Sequence, residues 1–334
     1  MQGAGSTLEV APGIVRVTLP VPFEMDGLHV YLLVERDAIL MVDCGPRMPG
    51  TLELLEGAIL GLGFSWDRLR GLVLTHWHMD HAGNAAEVRR RSRCWVAIHE
   101  RDAAEAVRYH RDPEGLLGGI PFFLSLGVSE GTARELVKAP SAFNAMAEDF
   151  SVDRPAQDEE RLHLGRRTFR VLWTPGHTRG HLCLLEEASG VMLVGDHILD
   201  PVTPNISCLP GAVNPLGEYQ ASLQRVARLA PWRALPGHGR IIERPTERAR
   251  AILGHHARRG QAVLDAVSGG AETVAEVARA LFGDNHPPLG RRLALLEALS
   301  HLEALVAAGN LQRTRQGALR LFRARGRSRA RTRP

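Results

Sequence analysis

The sequence predicts an α/β protein in which sheet is covered by helices, followed by a smaller, mostly helical domain. Three observations predict it. Runs of β-forming residues alternate with helical patterns through the first hundred residues. The sheet pattern resumes at 161–173 after a different, helix-rich stretch. Beyond residue 244 the pattern changes again, to three helices and two short strands.

The elements follow in order. Residues 14–19, 28–34 and 38–42 are expected strands, with Glu35-Arg36-Asp37 turning between the last two and Asp43-Cys44-Gly45-Pro46 stopping the third. Residues 50–62 place Leu52, Leu55, Ile59 and Leu62 on one helical face. Leu72-Val73-Leu74-Thr75 is a short buried strand that delivers a histidine run to its C-terminal end. A helix over 82–91 and a strand over 95–98 follow. Residues 101–155 are helical but broken by glycine and proline, and are expected as an insertion between sheet elements. Their side chains Phe122, Phe123, Leu124, Leu126, Phe143 and Met146 are candidates for lining an apolar pocket; packing in the insertion's own core or in a dimer contact is an equal alternative. A hairpin pairs 183–186 with 191–194, a helix spans about 215–229, and Ala234-Leu235 precedes Pro236-Gly237-His238-Gly239. Helices over 245–268, 272–282 and 290–308 and a ribbon at 310–315 and 318–323 make a winged-helix-like pattern. The expected domains are 1–244, 245–323 and a basic tail, 324–334.

Composition narrows the class. The 334 residues carry a net charge of +4, but Arg323, Arg325, Arg327, Arg329, Arg331 and Arg333 lie in the last twelve; subtracting these six leaves −2. The basic character is therefore largely that of a solubilising tail, with contact to nucleic acid as the alternative. Cys44, Cys94, Cys183 and Cys208 form no CxxC pair, which fits a cytoplasmic location. Neither a signal peptide nor an apolar run of membrane-spanning length is evident.

The chemistry is concentrated in Thr75-His76-Trp77-His78-Met79-Asp80-His81-Ala82-Gly83. Imidazoles and carboxylates are ordinary ligands of divalent metals. On a tight loop after a strand, this spacing sends His76 and His78 toward one ion and Asp80 and His81 toward a second. Three further candidates stand at strand ends beside glycines: His177 in Pro175-Gly176-His177-Thr178-Arg179-Gly180-His181, Asp196 after Val191-Met192-Leu193-Val194-Gly195, and His238.

Taken together, these motifs resemble the metallo-beta-lactamase superfamily over about residues 10–242. The resemblance implies an αββα sandwich of two mixed sheets between helices. It also implies that His76, His78 and His177 bind one metal, that Asp80, His81 and His238 bind the other, and that Asp196 bridges them. Asp43 matches an acidic residue that orients a ligand from behind. His181 resembles the second, structural histidine of a Gly-His-Thr-x-Gly-His element. The remaining histidines carry no such support.

Two divalent ions are therefore expected, zinc by default, with iron or manganese as alternatives. They activate water for attack on a carbonyl or phosphoryl centre, with Asp80 also orienting the nucleophile. A flavodiiron-type reductase is not expected, since that branch has a carboxylate where His78 stands. The long insertion and C-terminal extension do not match class B beta-lactamases. The extension resembles the branch containing lactamase-beta-like protein 2, a single-strand-preferring endoribonuclease. The expected function is hydrolysis of a small ester, thioester or lactone; the alternatives are RNA cleavage and a non-catalytic metal-binding sensor or scaffold.

Overall fold

The computed structural model describes residues 5–23 and 26–325. Arginines 327, 329, 331 and 333 of the expected tail lie outside the described residues. The chain divides into two compact units: Met1–Leu116, Ser141–Asn205 and Glu218–Leu253 form one, and Leu117–Pro140, Ile206–Gly217 and Gly254–Pro334 the other.

The first unit is a sandwich of two mixed sheets. One sheet runs in sequence order through β1 (Thr7–Ala11), β2 (Ile14–Leu19), β3 (Leu28–Glu35), β4 (Ala38–Val42), β5 (Leu69–Val73), β6 (Trp95–Ile98) and β7 (Arg154–Pro155). Its first four strands pair antiparallel and the rest parallel. The other sheet has the order β12-β11-β10-β9-β8, from β8 (Arg161–Leu164), β9 (Arg167–Trp173), β10 (Leu182–Glu186), β11 (Val191–Gly195) and β12 (Arg233–Pro236).

The period of two decides what meets between the sheets. Tyr31 and Leu33, Leu40 and Val42, Phe169 and Val171, Leu182 and Leu184, and Val191 and Leu193 all join one buried cluster. The alternate residues Val30, Leu32, Met41, Leu172 and Met192 are buried as well. Burial on both faces explains why these strands read as continuous apolar runs. β1 escaped sequence reading because it is an edge strand whose first three residues are exposed. β5 begins three residues earlier than expected, and Leu74 and Thr75 lie beyond its end.

The second unit has its own core. Phe123, Leu126, Ala133 and Leu136 bury there with Val263, Val277, Leu295, Leu299 and Phe322. Residues 117–140, expected as part of a sheet-domain insertion, thus spend their apolar area on the C-terminal helices. Thr273 and Glu276 close a capping box at the start of the helix Val274–Phe282. The helix Pro288–Ala307 is followed by the ribbon β13 (Leu311–Gln316) and β14 (Leu319–Ala324). Among the described residues no helix is long and apolar enough to cross a membrane.

Candidate metal centre

Five strands of the sandwich end at one place. β4 delivers Asp43, β5 the histidine run, β9 the loop of His177, β11 Asp196 and β12 His238. Beyond β5 the chain bends at Thr75 and reaches His78, whose ψ of 145° is extended, before it turns into the short helix Met79–Ala82. That switch from extended to helical backbone separates the run into two pairs, His76 with His78 and Asp80 with His81.

The structure brings all seven expected ligands together. His76 Nε2 and His177 Nε2 lie 3.0 and 3.1 Å from His78 Nδ1. On the other side, His238 Nε2 lies 3.2 Å and His81 Nε2 3.8 Å from Asp80 Oδ2. Asp196 stands between the two sets. Its Oδ2 is 3.7 Å from His177 Nε2 and 3.9 Å from His238 Nε2, while Oδ1 is 3.5 Å from His81 Nε2. Each of the groups His76/His78/His177, His76/His81/Asp196 and Asp80/His81/His238 has its ligand atoms within 4.8 Å of one another.

The unsatisfied atoms point to cations. His81 Nε2 and Asp196 Oδ1 are buried without a hydrogen-bond partner, a costly state that a metal ion relieves. Burial keeps His76 and His177 below the ordinary imidazole range and His78 at about 3, so all three rings are neutral at pH 7, the form in which an imidazole can bind a cation. In the second set burial works the same way, but Asp196 and the other carboxylates outweigh it, and His81 and His238 are shifted upward. For Asp80 burial opposes ionisation, yet His81 and the His238 hydrogen bond hold it at about 2. The second set is therefore built to favour positive charge.

The ligands are oriented from behind. Asp43 Oδ2 accepts from His81 Nδ1 at 2.8 Å, and both Asp43 oxygens accept from Thr75 Oγ1, which lies 3.0 Å from His76 Nδ1. His177 Nδ1 and His238 Nδ1 donate to the carbonyls of Asn205 and Gly27. His181 Nε2 accepts from the Asp196 backbone N–H at 3.2 Å, and its Nδ1 lies 2.9 Å from Thr174 Oγ1. His181 thus fixes the position of Asp196 and is not among the grouped ligands. Sequence reasoning passed over His29. Its backbone N–H donates to Gly237 O and its Nε2 donates to Gly239 O, which grips the loop of His238 on both sides. Position 29 in an apolar strand carried no signal for this.

The expected pocket residues are distributed differently. Phe123 and Leu126 are fully buried in the second unit's core, Phe122 packs against that core, and Leu124 is exposed. A side chain closed inside a core offers no cavity wall, so an acyl-lining role is not retained for Phe123 and Leu126. Phe143 meets Phe23 edge-on in the first unit, and Met146 is buried there.

Among known proteins, this geometry has a counterpart. Residues 26–238 match the model of the Metallo-beta-lactamase superfamily.

The chain belongs to the metallo-beta-lactamase superfamily.

Residues 261–324 separately match the Metallo-beta-lactamase-like, C-terminal domain. A metallo-beta-lactamase family protein from Thermus thermophilus aligns with TM-score 0.79 and 28% identity, covering 95% of this chain and 100% of that one. The probable metallo-hydrolase YqjP of Bacillus subtilis is 28% identical over 242 residues, 69% of this chain and 72% of the relative. The atrochrysone carboxyl ACP thioesterase of Aspergillus fumigatus is 25% identical over 288 residues, 82% of this chain and 75% of the relative. With the superfamily fold, two clustered His/Asp groups make a dinuclear metal-dependent hydrolase site.

Proposed function

We propose that this metal-dependent hydrolase cleaves a small acyl substrate, with a thioester first among thioester, ester and lactone. The observation that carries the hydrolytic reading is the placement of Asp196 between two complete ligand sets. Two divalent ions there, zinc by the donor set, supply Lewis acidity and lower the pKa of water toward neutrality. The chain's own residues do the rest. Neutral His76, His78 and His177 hold one position, and anionic Asp80 and Asp196 balance charge across the site. Asp80, with 14% of its side chain exposed, is the carboxylate that orients the attacking water.

One observation favours an acyl substrate over RNA. The Aspergillus fumigatus relative that is named a thioesterase aligns over most of both chains. The winged-helix-like reading of 245–323 and its likeness to the lactamase-beta-like protein 2 branch belong to the nuclease alternative, which no feature of the centre favours. A reducing cytoplasm is the proposed location, supported by four free, buried cysteines.

The test is a parallel assay of the metal-loaded protein on acyl thioesters, esters, lactones and labelled single-stranded RNA. Thioester turnover that disappears in His78→Ala and Asp196→Asn is the expected result. Metal-dependent RNA cleavage lost in the same variants, without acyl turnover, overturns the acyl reading.

A further inference from the structure

One buried carboxylate is not used by either ligand set. Asp102 lies in the first turn of the helix Glu100–Arg111, which follows β6, and is fully buried. Its Oδ2 accepts from the Trp77 backbone N–H at 3.2 Å and from Thr178 Oγ1 at 2.6 Å. Its Oδ1 accepts from the Gly180 N–H at 2.5 Å.

The positions of these donors give the contact its meaning. Trp77 stands between His76 and His78. Thr178 follows His177, and Gly180 precedes His181, which holds Asp196. Asp102 therefore joins the loop after β5 in one sheet to the loop after β9 in the other. These two loops carry every ligand of the first set. One turn along the helix, Glu105 accepts from the Trp77 indole at 3.0 Å and secures the same residue again.

The chemistry is specific to a carboxylate. All three partners are donors, and two carboxylate oxygens accept them all. An amide would turn its own N–H groups toward one of them. Position 180 also has to be glycine, because a Cβ there would fall 2.6 Å from Asp102 Oδ1 and 2.7 Å from its backbone nitrogen. The arrangement is expensive, since every partner is neutral and burial pushes the Asp102 carboxyl up to about 7. A fold needing only stability has cheaper solutions. The first set consists of three neutral imidazoles, so a divalent ion held there would favour the ionised form of the carboxyl one hydrogen-bond layer behind its loops.

We infer that Asp102 is the positioning residue of the first metal site, clamping the His76–His78 and His177 loops in register and leaving the Asp80/His81/His238 set independent of it. The inference rests on the dinuclear centre of the proposed function and not on its acyl substrate.

The test compares zinc loading of the full chain and of Asp102→Asn. Affinities come from competition with a chromophoric chelator, and anomalous diffraction at the zinc edge reads the occupancy of each set. The expected result is a weakened peak among His76, His78 and His177, an unchanged peak among Asp80, His81 and His238, and an affinity for one equivalent lowered about 10- to 100-fold. Turnover then recovers at raised zinc concentration. Unchanged affinities with equal peaks overturn the inference. Parallel loss of both ions with a lowered unfolding midpoint also overturns it, since that marks a purely structural residue. If Asp102→Asn does not fold, Thr178→Val removes one of the three donors and is expected to show the same site-selective loss at smaller size; unchanged loading in that variant overturns the inference. Because occupancy is the readout, failure of the thioester assay leaves the result interpretable.

Discussion

Asp43 Oδ2 lies 2.8 Å from His81 Nδ1, and this contact turns His81 Nε2 toward Asp80 and Asp196. Asp43 takes a left-handed φ of 58°, a conformation that aspartate tolerates better than most residues. Through Thr75 the same carboxylate also reaches His76. One residue at the end of β4 thus orients a ligand of each set. Asp43→Ala is expected to weaken metal binding about 10- to 100-fold. Chelator competition on the purified variant measures this; unchanged affinity for both ions contradicts it.

Removing the ions should remove the activity. Exhaustive chelation is expected to bring hydrolysis to the uncatalysed background, with recovery on adding a divalent metal back. Asp196→Asn keeps the shape but loses the charge shared by both sets, and metal addition should not rescue it. Turnover by metal-free protein would sink the metal-dependent assignment.

Gly237 adjoins the ligand His238 without a left-handed φ, so space alone determines its tolerance. A Cβ there would stand 2.6 Å from His81 Cε1 and 2.7 Å from Asp196 Oδ1. Gly237→Ala is therefore expected to displace two ligands and lower metal content, whereas Gly57→Ala, which meets nothing within 4 Å, should leave it unchanged. Metal analysis of the two variants side by side decides the point.

The second unit carries a pH dependence of its own. His256 Nδ1 and His301 Nε2 face each other at 3.4 Å, and burial first, then neighbouring positive charge, holds both below the ordinary imidazole range. The unfolded chain then binds more protons below about pH 6.5. Stability is full above that pH and is lost as pH falls toward the lowered folded values. The loss is on the order of 2 kcal/mol per histidine between pH 7.5 and 5. Urea unfolding followed at both pH values checks this, and His301→Leu should show a shallower dependence.

Much of the centre was legible in the sequence because metal ligation demands particular atoms. His76, His78, Asp80 and His81 fall within six residues, and a run of that chemistry has few other uses. His177, Asp196 and His238 were legible through their glycines and the apolar strands ahead of them. The residues behind the ligands were harder to read. Asp43 and His181 were found by resemblance, while His29 and Asp102 left no pattern. Each acts through hydrogen bonds to groups distant in sequence, and such contacts impose no periodicity.

The helical stretch after residue 116 shows the same limit from the packing side. Its apolar residues announced burial, but hydrophobic burial is non-directional, and Phe123 and Leu126 would read identically in a pocket wall and in a core. By itself, then, the sequence determined most of the sandwich strands, through their runs of β-forming apolar residues, and the identity of the metal-binding atoms, through ligand chemistry. Only the tertiary structure decided which loops meet and that Asp196 stands between the two sets. It also decided that the 117–140 segment packs with the C-terminal helices. The physical reason is that composition and period are local properties of a chain, whereas a shared ligand or a shared core exists only after distant strand ends have been brought together.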